Sequence, residues 1–445
     1  MQLKRKFSDI RGALTLATCA TLQGTSHAAG VGAGQWQLDS ALLYYGEKDR
    51  VEVFEPTLFA TKSLSESESL TLRGIFDTMS GATPNGAVPA AAPQTFTSPS
   101  GNPYTVAPNK PPTMDFEDLR GAVGFDWVKE TADRVKRTLS GDLSAEKDYS
   151  SIGGSVSYAF DGEARMRTLA IGAGFSYDAV DPDGGKPPEL SLLSAYSSTG
   201  GGRALGGDTA RRDDDEGEDG DGGDDFSLFQ GERKLSAQLL LGVTQVLSRR
   251  ALVQFNYTLS LNSGYLNDPY KVVSLVDSSG APVDALFEKR PDHRSGNALF
   301  GKFVYHLPRD VVHLSYRYYW DDWGIRSHTT DLSYRMALWE GAYLQPHLRY
   351  YRQTQADFYH TALLDTASRP DYASADYRLA EMQSTTAGLK LGIPTGPHAE
   401  LSLRAEFMKQ TGENHPADAI GRLRELDLYP GLEAIILQFG YSLEF

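Results

Sequence analysis

Apolar and polar residues alternate with a period of two, segment after segment, over most of this chain. Successive side chains on an extended strand point to opposite sides, so GQWQLDSALLYY sets Trp36, Leu38, Leu42 and Tyr44 on one face. LTLRGIF aligns Leu70, Leu72 and Phe76, and LRGAVGFDW aligns Leu119, Val123, Phe125 and Trp127. IGGSVSYAF and TLAIGAGFSY add Ile152, Val156, Tyr158 and Phe160, then Leu169, Ile171, Phe175 and Tyr177. LVQFNYTL, VVHLSYRYYW, TTDLSYRMAL, YLQPHLRYY and AELSLRAEF repeat the theme in the second half. The last segment, AIILQFGYSLEF, carries Ile435, Leu437, Phe439, Tyr441, Leu443 and Phe445 in one row. About sixteen such segments of 12 to 16 residues predict an all-β fold.

The positions between the apolar ones separate a soluble sandwich from a membrane barrel. They are Gly, Ser, Thr, Gln, Asn and Arg, as a polar lumen requires. Aromatic residues gather near segment ends, at Tyr44, Tyr45, Trp127, Tyr318, Trp320, Trp323, Trp339 and Tyr343, where membrane interfaces favour them. The connections also alternate. SLSESE, ETAD, DGEA, LSRR, LPRD, WEGA and IPTGPH are short, while the stretches near 79–114, 179–231, 263–293, 357–375 and 412–430 are long. Short turns at one end and long loops at the other are the mark of an antiparallel up-and-down transmembrane β-barrel. The expected fold is such a barrel of about sixteen strands over residues 29–445, with both termini periplasmic and the last strand closing onto the first. Closure is expected because an unpaired strand edge is not tolerated in lipid.

Residues 1–28 read as an export signal. Lys4, Arg5, Lys6 and Arg11 precede the apolar stretch GALTLATCATL, and Ser26-His27-Ala28 fits small-x-small cleavage. Cleavage removes four basic residues and Asp9, taking the formal charge from −15 to −18, which argues against a nucleic-acid partner. The sole cysteine, Cys19, lies within this segment. Leu16-Ala17-Thr18-Cys19 loosely matches a lipid-attachment motif, but Thr18 fits poorly, and a small apolar residue of the signal is the simpler reading. The mature chain then has neither disulfide nor thiol chemistry.

Several long stretches resemble a family of Gram-negative outer-membrane proteins catalogued as domain of unknown function 3570. They are MQLKRKFSDIRGAL, WQLDSALLYYGEKDRV, LTLRGIFDTMSGATPNGAVP, LLGVTQVLSRR, GYLNDPYK, SYRYYWDDWGIRSHT, YLQPHLRYYRQTQADFY, ASADYRL and LQFGYSLEF. The resemblance covers nearly the whole chain and implies an outer-membrane barrel; it brings no activity, cofactor or catalytic residue. It also implies a genomic association with periplasmic flavin-attaching and thioredoxin-like proteins, hence a periplasmic redox partner. The length of the acidic loop departs from the family pattern. The terminal row Phe439, Tyr441, Leu443 and Phe445 resembles the signal read by the barrel-assembly machinery, and lipid and lipopolysaccharide are the expected surroundings.

Assigned to the lumen, the polar faces are uneven. The first half shows mainly Gly, Ser, Ala and Thr, as at Gly153, Ser155, Ser157, Gly172, Gly174 and Ser176. The second half sets Lys302, Arg317, Arg335, Arg349, Lys390 and Arg404 inward on successive strands, with His313 and His347 beside them. This basic ladder is either a selectivity wall, with Asp321 and Asp322 as candidate opposing acids, or a set of ion pairs stiffening the barrel. Residues 211–225, RRDDDEGEDGDGGDD, offer Asp213, Asp214, Asp215, Asp219 and Asp221 as weak divalent-cation ligands, but they lack the order of a calcium loop and read better as a solvated loop. No hydrolase, zinc or phosphate-loop motif occurs, so neither enzyme activity nor a cofactor is expected. Two functions remain: a porin-like channel for small solutes, or a scaffold engaging a periplasmic redox protein with little conduction.

Overall fold

The computed structural model describes residues 33–97, 103–162, 164–182, 185–198, 229 and 231–445. The signal segment and the acidic run 211–225 lie outside the described residues. Sixteen strands form one closed antiparallel barrel. In chain order they are β1 (Trp36–Glu47), β2 (Val51–Ser65), β3 (Glu68–Pro84), β4 (Thr113–Glu130), β5 (Val135–Glu146), β6 (Tyr149–Asp161), β7 (Arg167–Val180) and β8 (Glu232–Ser248). There follow β9 (Ala251–Gly264), β10 (His293–His306), β11 (Val311–Asp321), β12 (Arg326–Ala337), β13 (Tyr343–Gln353), β14 (Met382–Gly396), β15 (Ala399–Gly412) and β16 (Leu432–Glu444). Each pairs with its neighbour in sequence, and β16 closes the ring on β1 from Gln37↔Glu444 to Glu47↔Ala434. The expected closure is therefore present, and no barrel edge is left open to lipid.

Alternation sorts the side chains as anticipated. Leu42, Leu72, Val123, Ile152, Leu169, Phe255, Leu299, Leu348, Leu389 and Phe439 are exposed on the outside. In water such a belt would be an aggregation surface; in a bilayer it is the solvent-matched face. At the end with the short turns, Trp36 lies beneath the Lys62 ammonium (5.1 Å), and Trp127 donates its Nε1–H to Glu68 (2.8 Å). Trp339 and Phe445 are also exposed there. Tyr44, Tyr316 and Tyr350 are exposed toward the other end, where Tyr318 stacks on Trp320 (5.3 Å).

Three aromatics expected in these girdles are not there. Tyr45, Trp323 and Tyr343 are only 5%, 4% and 4% exposed. Tyr45 and Tyr343 occupy inward positions and donate to Glu47 (2.9 Å) and Glu400 (2.8 Å). Trp323 lies in the turn after β11, where its ring packs edge-on against Phe358. A strand-end aromatic is a girdle residue only when its parity matches the apolar row; Tyr45 and Tyr343 have the opposite parity, and Trp323 is beyond the strand.

The long connections all leave the same end. They run over 85–112, 181–231, 265–292, 354–381 and 413–431. Their described parts fold together. Between β9 and β10 a hairpin, Val272–Val276 with Pro282–Phe287, pairs in parallel with Leu363–Leu364 from the connection after β13. Val272 packs with Ala87, Phe96 and Tyr196; Val273 with Ala373 and Ala375; Val276 with Val88, Ala419 and Leu423. One hairpin thus joins the apolar clusters of several loops.

Candidate functional site

Two features are candidates: the lumen wall and the cap made by the loops. On β10 to β15 the inward positions alternate with the exposed apolar row. Cross-strand register arranges the charged ones in rungs. Arg317 stands opposite Phe300 and Thr329, and Lys302 opposite Ser315, which in turn faces Asp331. Asp331 faces Arg349, Gln345 faces Lys390, and Lys390 faces Arg404. The six ladder residues therefore share one continuous arc of the lumen.

Among the described residues, Lys302, Arg317, Arg335, Arg349 and Lys390 have no carboxylate within ion-pair distance, and Arg404 reaches Glu406 only at 3.8 Å. Arg335 lies over the Tyr343 ring (3.6 Å) and Arg317 over Tyr319 (5.4 Å), so aromatic faces rather than acids hold these guanidinium groups. The carboxylates nearby are engaged elsewhere: His347 takes Asp331 at its Nε2 (2.8 Å) and Glu406 at its Nδ1 (2.9 Å). Acids on opposite edges of one imidazole brace three strands and cannot chelate a common metal.

Asp321 and Asp322 do not oppose the ladder. Asp321 ends β11 on the same arc, bonded to the Arg294 Nε–H (2.8 Å) and capping the Trp323 and Ile325 amides (3.1 and 2.9 Å). Asp322 accepts from the Ser295 amide (2.9 Å). The acids facing the ladder are instead across the barrel, on inward positions of the first half: Asp39, Glu55, Asp77, Asp126, Asp142 and Asp178. The bases among them are paired, Arg120 with Asp77 (2.7 Å), Arg73 with Asp126 (3.4 Å) and Lys234 with Asp178 (3.3 Å). The small-residue reading of this wall holds for most of β6 and β7 but misses the acids on β1 to β5 and Asp178 near the end of β7. FDTMS and GFDW showed Asp77 and Asp126 at inward parity and could have revealed it.

The cap spans the barrel mouth. The segment entering its hairpin comes from β9, yet the Lys271 ammonium donates to the Pro84 carbonyl and the Val272 amide to Asn85 (2.9 Å), at the end of β3, six strands round the ring. Val88 N–H donates to Ser274 Oγ (3.0 Å), Lys289 and Ala373 exchange two bonds of 2.9 Å, and Arg422 N–H donates to Ser279 (2.8 Å). Gly86 makes the β3 junction possible: its φ is +97°, and a Cβ there would lie 2.6 Å from the Val272 carbonyl. Gly86→Val is expected to destabilise the cap by about 1–3 kcal/mol, read as faster proteolysis of the 265–292 loop with the barrel still intact.

Inside the cap is a buried charge network. Lys271 is fully buried, and Asp376, Glu288, Asp268 and Arg290 are 1%, 3%, 5% and 8% exposed. Arg290 Nη2 donates to Glu288 (3.0 Å) and Asp376 (2.9 Å); Arg378 Nη2 donates to Asp268 (2.8 Å), and its Nε to Asp376 (2.8 Å). Ser374 Oγ donates to Glu288 (2.5 Å). Three cations and three anions balance, as burial requires. Burial alone would raise the Asp376 carboxyl, but Arg378, Lys271 and Arg290 outweigh it and hold it far below the usual carboxylate range. Burial pulls the Lys271 ammonium down to about 8, partly offset by Asp376, while burial raises the Glu288 carboxyl.

A closed strand ring with an apolar exterior and a charged lumen, capped by its own loops, defines a membrane-spanning β-barrel. The chain belongs to the family described as "Protein of unknown function (DUF3570)", whose model matches residues 11–443. No curated protein matches it. Solved structures with a similar fold include the outer membrane protein opdK from Pseudomonas aeruginosa, at 9% identity and TM-score 0.38, covering 93% of this chain and 99% of that one. The CymD monoaromatic hydrocarbon channel is 9% identical, with TM-score 0.39 over 96% and 93% of the two chains. A bacterial polysaccharide outer membrane secretin is 8% identical, with TM-score 0.41 over 93% and 99%. These likenesses are of fold and carry nothing about a solute.

Proposed function

We propose that the protein is an outer-membrane channel for small anionic or zwitterionic solutes, with its loop end outside and its cap as the outer gate. The observation that carries this reading is the ladder of Lys302, Arg317, Arg335, Arg349 and Lys390, none of which makes a direct ion pair among the described residues, while the neighbouring Asp331 is bonded to His347. Charges kept only to stiffen a wall would be paired, as Arg73, Arg120 and Lys234 are. A basic arc short of direct carboxylate contacts, facing an acidic one, sets a field across the lumen, which draws anions to one wall and orients zwitterions.

Single-channel recording of the purified barrel in a planar bilayer, with anion and cation permeabilities compared, tests this. A unit charge about 5 Å away in water contributes about 0.8 kcal/mol, close to a factor of four. Salt screening and the spacing of the three residues along the wall reduce the product of three such factors, so the triple variant R317Q/R335Q/R349Q is expected to lower the anion preference roughly tenfold. A conducting wild type whose selectivity ignores these substitutions would refute the basic-wall mechanism.

A second reading, a scaffold for a periplasmic redox protein, is favoured by one observation: the cap joins β3, β9 and β13 across the mouth. Electrical silence of both the wild type and a cap-opened variant would favour it.

A further inference from the structure

We infer that the outer face of β11 to β13 carries a binding site for the phosphate groups of lipopolysaccharide. This rests on the outer-membrane placement with loops outside, and is independent of whether the barrel conducts. On the outward face of β12, Leu332 is in the apolar belt, and His328 and Arg326 stand four and six residues beyond it toward the loop end. That is about 13 and 20 Å along a strand, at the edge of an apolar band about 25 Å tall.

Register assembles the site from three strands. Trp320 pairs with Arg326, Tyr318 with His328, and His328 with Arg352. Tyr318 stacks on Trp320 (5.3 Å) and contacts the His328 ring (5.0 Å), while the Tyr316 hydroxyl and His328 Nδ1 are hydrogen-bonded at 2.6 Å. Arg326 and Arg352 are exposed; Arg326 makes no ion pair among the described residues, and Arg352 forms one with Glu381 (3.0 Å) through a single nitrogen, leaving the rest of its fork for a ligand. Two guanidinium groups above a fixed aromatic shelf suit a sugar phosphate, with Arg forks on the oxygens and rings under the sugar and acyl junction.

The setting makes the patch specific. This chain has a formal charge of −15, and outward positions toward the loop end of β2 and β4 are acidic, at Glu52, Asp115 and Glu117. On β15 and β16 the outward Lys409 is paired with Glu433 (3.0 Å) and, unlike Arg352, has no guanidinium group beside it on the neighbouring strand. An anionic leaflet would be repelled by Glu52, Asp115 and Glu117 and held at Arg326 and Arg352.

The test titrates the detergent-folded full chain with phosphorylated lipid A and follows the temperature at which the barrel loses its compact gel mobility. Wild type is expected to gain several degrees, with R326Q/R352Q needing about tenfold more lipid for the same gain. Dephosphorylated lipid A and inorganic phosphate are expected to have no effect on wild type. Equal stabilisation of the variant, or stabilisation of wild type by the dephosphorylated lipid, would overturn the phosphate site. Stabilisation by inorganic phosphate alone would overturn the lipid as its source. The dephosphorylated-lipid comparison uses only wild type, so it decides even if the variant folds poorly.

Discussion

A chain ending before Leu432 is expected not to reach the folded, heat-modifiable form in detergent or vesicles. The reason is the position of β16 between β15 and β1, hydrogen-bonded to both, from Ala399↔Leu443 to Gln410↔Leu432 on one side and along β1 on the other. Its loss leaves two strand edges in hydrocarbon, where each unmatched backbone group costs several kcal/mol. That sum exceeds the whole stability of an ordinary domain, about 5–15 kcal/mol. A truncated chain that still migrates as a compact barrel would refute the closure argument. Phe445→Ala should behave differently. Its backbone bonds with Trp36 (2.7 and 2.9 Å) survive the change, and the ring is 63% exposed. Refolding in vitro is expected to be unaffected, while the yield assembled in cells falls, because the ring is proposed as a mark for the assembly machinery.

The barrel was legible because period-two alternation is a local property, written into each strand by residues two apart. The loop-length alternation added the orientation of ends, and the parity of Phe439 to Phe445 already matched a lipid-facing closing strand. Strand-end position alone does not set the side on which a residue falls. Tyr45 and Tyr343 stand at strand ends as girdle residues do, yet each has inward parity, and Asp77 and Asp126 lie at inward parity in a wall otherwise rich in glycine and serine. The cap was not legible for a different reason. GYLNDPYK supplies Asp268 and Lys271, and ASADYRL supplies Ser374, Asp376 and Arg378, yet the Asp268–Arg378 contact joins residues 110 positions apart. Each motif alone reads as a loop with stray charges. Only the ring closure that brings the β9 and β13 ends over one mouth turns them into a neutral cluster.

Asp376→Asn is expected to loosen the cap while leaving the barrel standing. The carboxylate accepts from Arg290 and Arg378 and lies near Lys271, so its loss leaves three buried cations facing two anions. Breaking a buried ion pair from one side costs about 3–5 kcal/mol, enough to shift a closed cap to a largely open one. Because the network lies outside the strand ladder, the temperature of barrel unfolding should change little. Proteolysis within 265–292 and 354–381 should accelerate, and conductance should rise well above wild type. The same residue gives the cap an acid limit. Its folded-state value is depressed, so its contribution is fully present above the ordinary aspartate value of about 3.9 and is lost as pH falls further. Glu288, raised by burial, acts in the opposite sense and moderates the loss. The wild-type cap should therefore start to loosen below about pH 4 and weaken progressively as pH falls further, and Asp376→Asn should already be open at pH 7 with a smaller further change. If the variant stays protease-resistant and its conductance equals wild type at both pH values, the network does not hold the cap. If its proteolysis accelerates without any change in conductance, the cap is mobile but is not the gate, and the scaffold reading gains.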